Sequence, residues 1–263
     1  LFYIITVILN KNTVPKIKFL QAEWRDLLMV NYKVDPDILK PYIPAFTELD
    51  LWQGKALVSM VGFMFLNTRV LGIKWPGHVN FEEVNLRFYV RYFDGESWKR
   101  GAVFISEIVP LPIIPLVANN LYNEHYKAMP MRHSKQATAN NETKYFYDWK
   151  FNKRWSRLGA TVSNTFSPIA AGSEEEFIFE HYWGYNLVNE KSTIEYAVEH
   201  ESWQVAQVTD PIFDADVASL YGAGFAKHLK QPHSAFFAKG SEVAVRVAQR
   251  IRNGHERPLL GSR

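Results

Sequence analysis

The 263-residue chain contains no cysteine, so disulfides, thiolate nucleophiles and thiolate-bound metals are excluded. A reducing compartment suits such a chain, and the cytoplasm is its expected location. Nor does charge of one sign accumulate. Thirty Lys and Arg stand against 27 Asp and Glu with no long block of either, which removes the electrostatic footprint of a nucleic-acid partner. The nearest basic stretch, WKFNKRWSR at 149–157, interleaves rings with cations and reads as a hairpin whose turn lies near Asn152-Lys153. Apolar runs are short as well. LFYIITVIL at 1–9 cannot span a bilayer, follows no basic residue and lacks a small-residue cleavage signature, so no membrane partner is expected. Whether a targeting or anchor segment belongs to the true N-terminus stays open.

The common phosphate and nucleophile motifs are also missing. There is no G-x-S-x-G elbow and no P-loop, and Gly222-Ala223-Gly224 falls in a helical pattern instead of after a strand. The eight histidines form no H-x-H or H-E-x-x-H pair, although His125, His133 and His181 could converge in space. The expectation is a protein with neither cofactor nor metal.

What the chain does have is apolar and aromatic bulk: 47% hydrophobic residues, enough for a sizeable core. The stretch that organises it is VNFEEVNLRFYVR, Val79 to Arg91. At a period of two, Glu83, Asn85, Arg87, Tyr89 and Arg91 share one face, and Val84, Leu86, Phe88 and Val90 share the other. The polar face is either an ordinary wet surface or the wall of a cavity. Glu82 and Glu83 point to opposite sides and cannot form one acid/base dyad. After a turn at Asp94-Gly95-Glu96, RGAVFISEIV at 100–109 returns as the partner strand. Its one carboxylate, Glu107, needs a partner if buried, and Arg87 or Arg91 is the expected one.

Other segments follow the same logic. Residues 18–32 read as a helical turn leading into a short strand, with Asp35-Pro36 starting a helical turn beyond. Ala56 to Leu66 reads as a central strand, and Pro112 to Tyr126 as a helix. Ser173 followed by Glu174-Glu175-Glu176 caps a helix that runs to Gly184. Thr193 to Val208 is an interrupted strand, residues 214–228 a short helix, and residues 234–247 two short strands around Lys239-Gly240. Many strands at hairpin spacing with a few short helices give an α+β class, a largely antiparallel β-barrel. The domain is expected over 18–250, with a peripheral segment at 1–17 and a tail at 251–263.

The stretches NYKVDPDILKPYIPAFTELD, VGFMFLNTRVLG, HVNFEEVNLRFYVR, RGAVFISEIVPLPIIPLVANNLYNEHYKAMPMRH and EEEFIFEHYWGY together resemble the YqjF-like bacterial domain of unknown function, in the acetoacetate decarboxylase-like superfamily. The resemblance spans about residues 19–246 and implies that superfamily's barrel around a small-molecule cavity. It does not carry the decarboxylase reaction. Those enzymes place two adjacent lysines, one forming a Schiff base, after the segment that matches Glu107-Ile108-Val109-Pro110. Here Leu111-Pro112-Ile113-Ile114 follows, and no two lysines are adjacent anywhere.

The site is therefore expected to hold a small organic acid without imine chemistry, lined by Glu83, Asn85, Arg87, Glu107, Tyr122, Asn123, His125 and His133. Arg87 would bind a carboxylate or enolate oxygen, oriented by Glu107. The rival reading is an enzyme that moves a proton on, or cleaves, a small keto acid, with Glu83 or His125 as general base. A third is a protein-interaction scaffold. Assembly into a homo-oligomer stays open.

Overall fold

The computed structural model describes residues 17–252. The peripheral segment expected at 1–17 and the tail expected at 251–263 lie outside them, except for Ile17, Ile251 and Arg252.

The first half of the chain carries β1 (Lys18–Val34), β2 (Thr47–Leu49), β3 (Ala56–Val70), β4 (Phe81–Phe93), β5 (Trp98–Val109), α1 (Ile113–Tyr122), β6 (Tyr126–Ala128) and β7 (Met131–Ala137). The second half carries β8 (Glu142–Phe151), β9 (Arg154–Pro168), α2 (Glu174–Phe179), β10 (Trp183–Asn189), β11 (Ser192–His200), β12 (Gln204–Asp214), α3 (Val217–Tyr221), α4 (Ala223–Ala226), β13 (Ser234–Arg246) and β14 (Gln249–Ile251). Sheet dominates and the helices are short. The strands run in the order β14-β11-β10-β5-β4-β3-β1-β13-β12-β9-β8-β7. Since β11 also pairs with β13, the path from β11 through β10, β5, β4, β3 and β1 to β13 returns on itself as a ring. No helix among the described residues is long and apolar enough to cross a membrane.

Both faces of β4 are largely covered, with Glu82, Arg87 and Arg91 partly exposed. Val84, Leu86, Phe88 and Val90 enter a core shared with Tyr145, Tyr147 and Trp149 of β8. Phe81 and Tyr89, on the other face, join a second core with Leu57, Val61 and Phe63 of β3 and Phe177, Ile178 and Phe179 of α2. Glu83 and Asn85 lie on that second face and are buried, each 2% exposed.

Several local expectations are met. Asp35 accepts from the backbone of Asp37 and starts a 3-10 turn with Pro36 in its first position. Asn152 and Lys153 form the hairpin turn, both with positive φ. Ser173 accepts from the amide of Glu176 and caps α2.

Others are corrected. β1 is one 17-residue strand. It is paired on both edges, with β13 and β3, and its register slips near residues 21–23 and 25–28, where Asp26 takes φ 55°. Those slips erase the period of two from the sequence. β13 is likewise continuous across Gly240, which pairs in register with Arg25 at φ 79°, where a Cβ would sit 1.9 Å from the carbonyl oxygen of Trp24. The helix expected to reach Gly184 stops at Phe179, because residues 183–189 leave it to pair with β11 and β5. The expected helix at 214–228 is broken into α3 and α4 by Gly222, at φ 101°.

Candidate functional site

Two neighbouring strands and one short connection build the polar centre. On β4, Glu83 and Asn85 share a face, and Glu107 of β5 stands opposite Asn85 in register. Beyond α1 the chain turns at Asn123, a left-handed cap at φ 54°, and then runs extended. Asn119 fixes that exit by accepting from the Tyr126 amide at 2.9 Å and donating to its carbonyl at 3.1 Å. Tyr126 is thereby laid parallel beside Glu107, with Glu124 two residues before it.

The result is three buried carboxyls in one network. Glu83 accepts from Asn85 Nδ2 and from the Tyr126 hydroxyl, both at 2.9 Å. Glu124 accepts from the Tyr196 hydroxyl at 2.6 Å. That ring lies over Gly184, where a Cβ would come within 2.1 Å of it. Glu107 and Glu124 are hydrogen-bond neighbours of each other, and one oxygen of each has no donor when both are ionised. A shared proton supplies the missing donor.

Burial is the main cause of the titration shifts. It pushes Glu83 up to about 7, against the pull of its bonds from Asn85 and Tyr126, with Glu124 adding repulsion. Burial and the neighbouring Glu124 and Glu83 raise Glu107 well above the usual carboxylate range. Glu124 moves in the same direction, chiefly through burial. Three acids in so small a dry volume cannot all ionise, and they titrate as a group.

Further along β4, Arg87 makes no ion pair among the described residues. It donates only to the carbonyl of Ile178 at 3.4 Å and the sulfur of Met29 at 3.6 Å, and its buried Nε has no partner. Its guanidinium carbon lies 5.6 Å from the centre of the Tyr89 ring. The Tyr89 hydroxyl contacts Ser59 Oγ at 2.6 Å, and Ser59 donates to Asn31 at 2.6 Å. Against the same tyrosine, at 4.6 Å between centroids, packs His181. Its Nε2 lies 3.2 Å from Asp50, which also accepts from Arg100 at 2.6 Å. Burial lowers His181 to about 4, so it is neutral. Burial opposes ionisation of Asp50, but the bonds from His181 and Arg100 outweigh it and hold this carboxyl below its usual range.

Of the eight expected residues, Glu83, Asn85 and Glu107 come together, with Arg87 on the same face. Glu107 is not paired by an arginine: Arg91 binds Glu48, and the neighbours of Glu107 are Glu124, Glu83 and Tyr126. Tyr122 packs its ring on Tyr196 and sends its hydroxyl to the carbonyl of Arg246, away from the carboxyls. Asn123 is exposed and donates to the carbonyl of Leu187. His125 is exposed, and only its carbonyl is engaged, by the amide of Glu107. His133 binds Glu82 at 2.6 Å on the opposite side of β4 and is about half exposed. The three histidines that could have converged are therefore apart.

Glu124, Tyr126, Tyr196, Asp50 and His181 were not expected in the site. Glu124 and Tyr126 had been placed in helix. A signal was available in the cap residue Asn123, after which alternation puts Glu124 and Tyr126 on one face.

The family model DUF2071, described as an uncharacterized conserved protein, matches residues 21–242. The uncharacterized protein YqjF of Bacillus subtilis is 27% identical over 210 residues, covering 77% of this chain and 81% of that protein. Among solved structures, acetoacetate decarboxylase from Legionella pneumophila superposes with a TM-score of 0.61 at 13% identity, over 92% of this chain and 90% of that one. The enduracididine biosynthesis enzyme MppR complexed with pyruvate gives 0.60 at 14% identity, over 90% of each chain. At these identities the likeness is one of fold, a mostly-sheet architecture of the acetoacetate decarboxylase-like kind.

Proposed function

We propose that this chain, which belongs to the DUF2071 family, binds a small organic acid on the buried polar face of β4, inside a barrel-like ring of strands. One observation carries the reading. Arg87 is a cation with a buried, unpartnered Nε and no carboxylate of its own, while the carboxyls beyond it on the same face are held largely protonated. A part-buried guanidinium with a bare Nε is short of acceptors, and an incoming carboxylate supplies them. The pyruvate held by MppR, a protein of the same fold, supports an acid of this size.

A second reading, proton transfer on a keto acid, rests on Glu83. Held at about 7 in a dry site, it can take or return a proton at neutral pH. Imine formation has no role in either reading. Lys127 donates to the carbonyl of Leu220, and Lys99 is held by Glu195 and Asp94.

The test is Arg87→Met, with binding of pyruvate and other short keto acids followed by ligand-detected NMR and calorimetry. The variant should keep the wild-type circular dichroism spectrum and lose at least about tenfold in affinity. Unchanged binding in a folded R87M protein would remove this assignment. Solvent deuterium uptake into a bound keto acid separates the proton-transfer reading from binding alone.

A further inference from the structure

The groups at the other end of the polar face are not used by that reading. Ionised Asp50 can only accept, and its Oδ2 already receives Arg100 Nε at 2.6 Å. His181 Nε2, 3.2 Å from the same oxygen, must therefore carry the proton. In a neutral imidazole this leaves Nδ1 with a bare lone pair. That atom is buried and has no partner. The ring cannot swing to find one, since Tyr89 lies 4.6 Å from its face and Phe177 meets it edge-on at 5.2 Å.

Arg87 has the opposite need. Its Nε is a buried donor without an acceptor, and the guanidinium borders the same Tyr89 ring. In contact, the two groups would satisfy each other. Neither is hydrogen-bonded to the other, and a single ligand that accepts from Arg87 and donates to His181 would satisfy both. We infer that His181 Nδ1, presented by Asp50, is a second ligand contact of the Arg87 site, and that the ligand carries a hydroxyl proton beside its carboxylate, as a short 2-hydroxy acid or the enol of a 2-keto acid does. Asp50 is a positioning residue here, because it fixes the tautomer through His181 without reaching the ligand.

This inference rests on Arg87 being an anion site. The experiment compares lactate with pyruvate, which differ in hydroxyl against ketone, by calorimetry on the wild type and on two His181 variants. His181→Gln keeps an amide donor toward Asp50 but shifts the acceptor, now the amide oxygen, off the Nδ1 position; His181→Phe removes both and keeps a ring. The wild type should bind lactate about tenfold more tightly than pyruvate. In H181Q and H181F that ratio should fall below about twofold. One water molecule could meet the same two needs. Equal binding of both acids by the wild type points to that occupant and overturns the inference, as does a lactate preference that survives in both variants; in either case the Arg87 assignment stands. If neither acid binds the wild type, the assignment of Arg87 fails and this inference falls with it. Should both variants misfold, the wild-type ratio decides.

Discussion

Replacing Glu83 by Gln isolates one member of the carboxyl network. In the unfolded chain this glutamate titrates near 4.5; in the folded protein it keeps its proton to about 7. Between those values the native state binds more protons than the unfolded state, so stability falls as pH rises. The contribution of Glu83 is complete below about pH 4.5 and lost as pH passes through about 7. At about 1.4 kcal/mol per unit, the loss is about 3 kcal/mol. His181 works in the opposite sense. Its folded value of about 4 lies below that of a free imidazole, so its contribution is complete above about pH 6.5 and is lost as pH falls toward 4. The wild-type profile is therefore a compensated sum, and the difference between variant and wild type is the informative quantity. In E83Q the amide oxygen still accepts from Asn85. The amide nitrogen meets the Tyr126 hydroxyl, which then turns its proton toward Glu107, already a hydrogen-bond neighbour. The network survives, so E83Q and wild type should agree within about 1 kcal/mol at pH 4.5. By pH 7.5 the variant should be the more stable by about 3 kcal/mol. Urea unfolding followed by tryptophan fluorescence at half-unit pH steps measures this directly. A difference that stays flat between pH 4.5 and 7.5 would refute the claim that Glu83 is buried as a neutral acid.

Two further predictions concern how the site is built. Tyr196→Phe removes the donor to Glu124 and leaves its carboxyl short of partners, so the variant should lose about 1–3 kcal/mol in urea midpoint measurements. The deficit should grow with pH, because the hydroxyl favours the ionised acid. Gly240→Ala places a methyl against the Trp24 carbonyl in a left-handed backbone position, and thermal unfolding should show a loss of about 2 kcal/mol or more. Wild-type behaviour of G240A would mean that β13 does not approach the Trp24 carbonyl as closely as described.

The part of the fold that sequence reveals is the part governed by strict alternation. β4 and β5 keep a period of two over most of their length and pair as the expected hairpin, though the register puts Asn85, not an arginine, opposite Glu107. β1 differs from its expected form because bulges shift its register against β3, and a bulge leaves the sequence looking like neither helix nor strand; in β13 the glycine that reads as a turn sits inside the strand at positive φ, in register with Arg25. The site divides in the same way. Glu83, Asn85, Arg87 and Glu107 lie on alternating strands and were legible. Glu124 and Tyr126 follow a helix cap, where the period changes within one residue, and His181 sits past the end of a helix that tertiary pairing cut short. Strand partners, not local propensity, decided where that helix stops.

Why the cation and the acids of this face do not neutralise one another has a simple geometric cause. Glu83 and Arg87 are four residues apart on one strand, about 13 Å between their Cα atoms. Between them Asn85 turns its amide to Glu83 and keeps its own oxygen unpartnered. A helix with the same two residues four apart would have paired them; an extended strand holds them out of reach. The pattern E-x-N-x-R, written on a strand, thus leaves an acid protonated and a guanidinium underused on one largely buried face. On that face a ligand with a single carboxylate changes the balance at both ends: it supplies the negative charge Arg87 lacks, and its own field makes ionisation of Glu83 still harder. Occupancy should therefore carry the neutral form of Glu83 to higher pH, and in reverse, ionising Glu83 should weaken the anion's hold. Affinity for a small carboxylate that falls as pH rises above about 7 is the expected sign of that coupling, and titration calorimetry across pH 6 to 8 measures it.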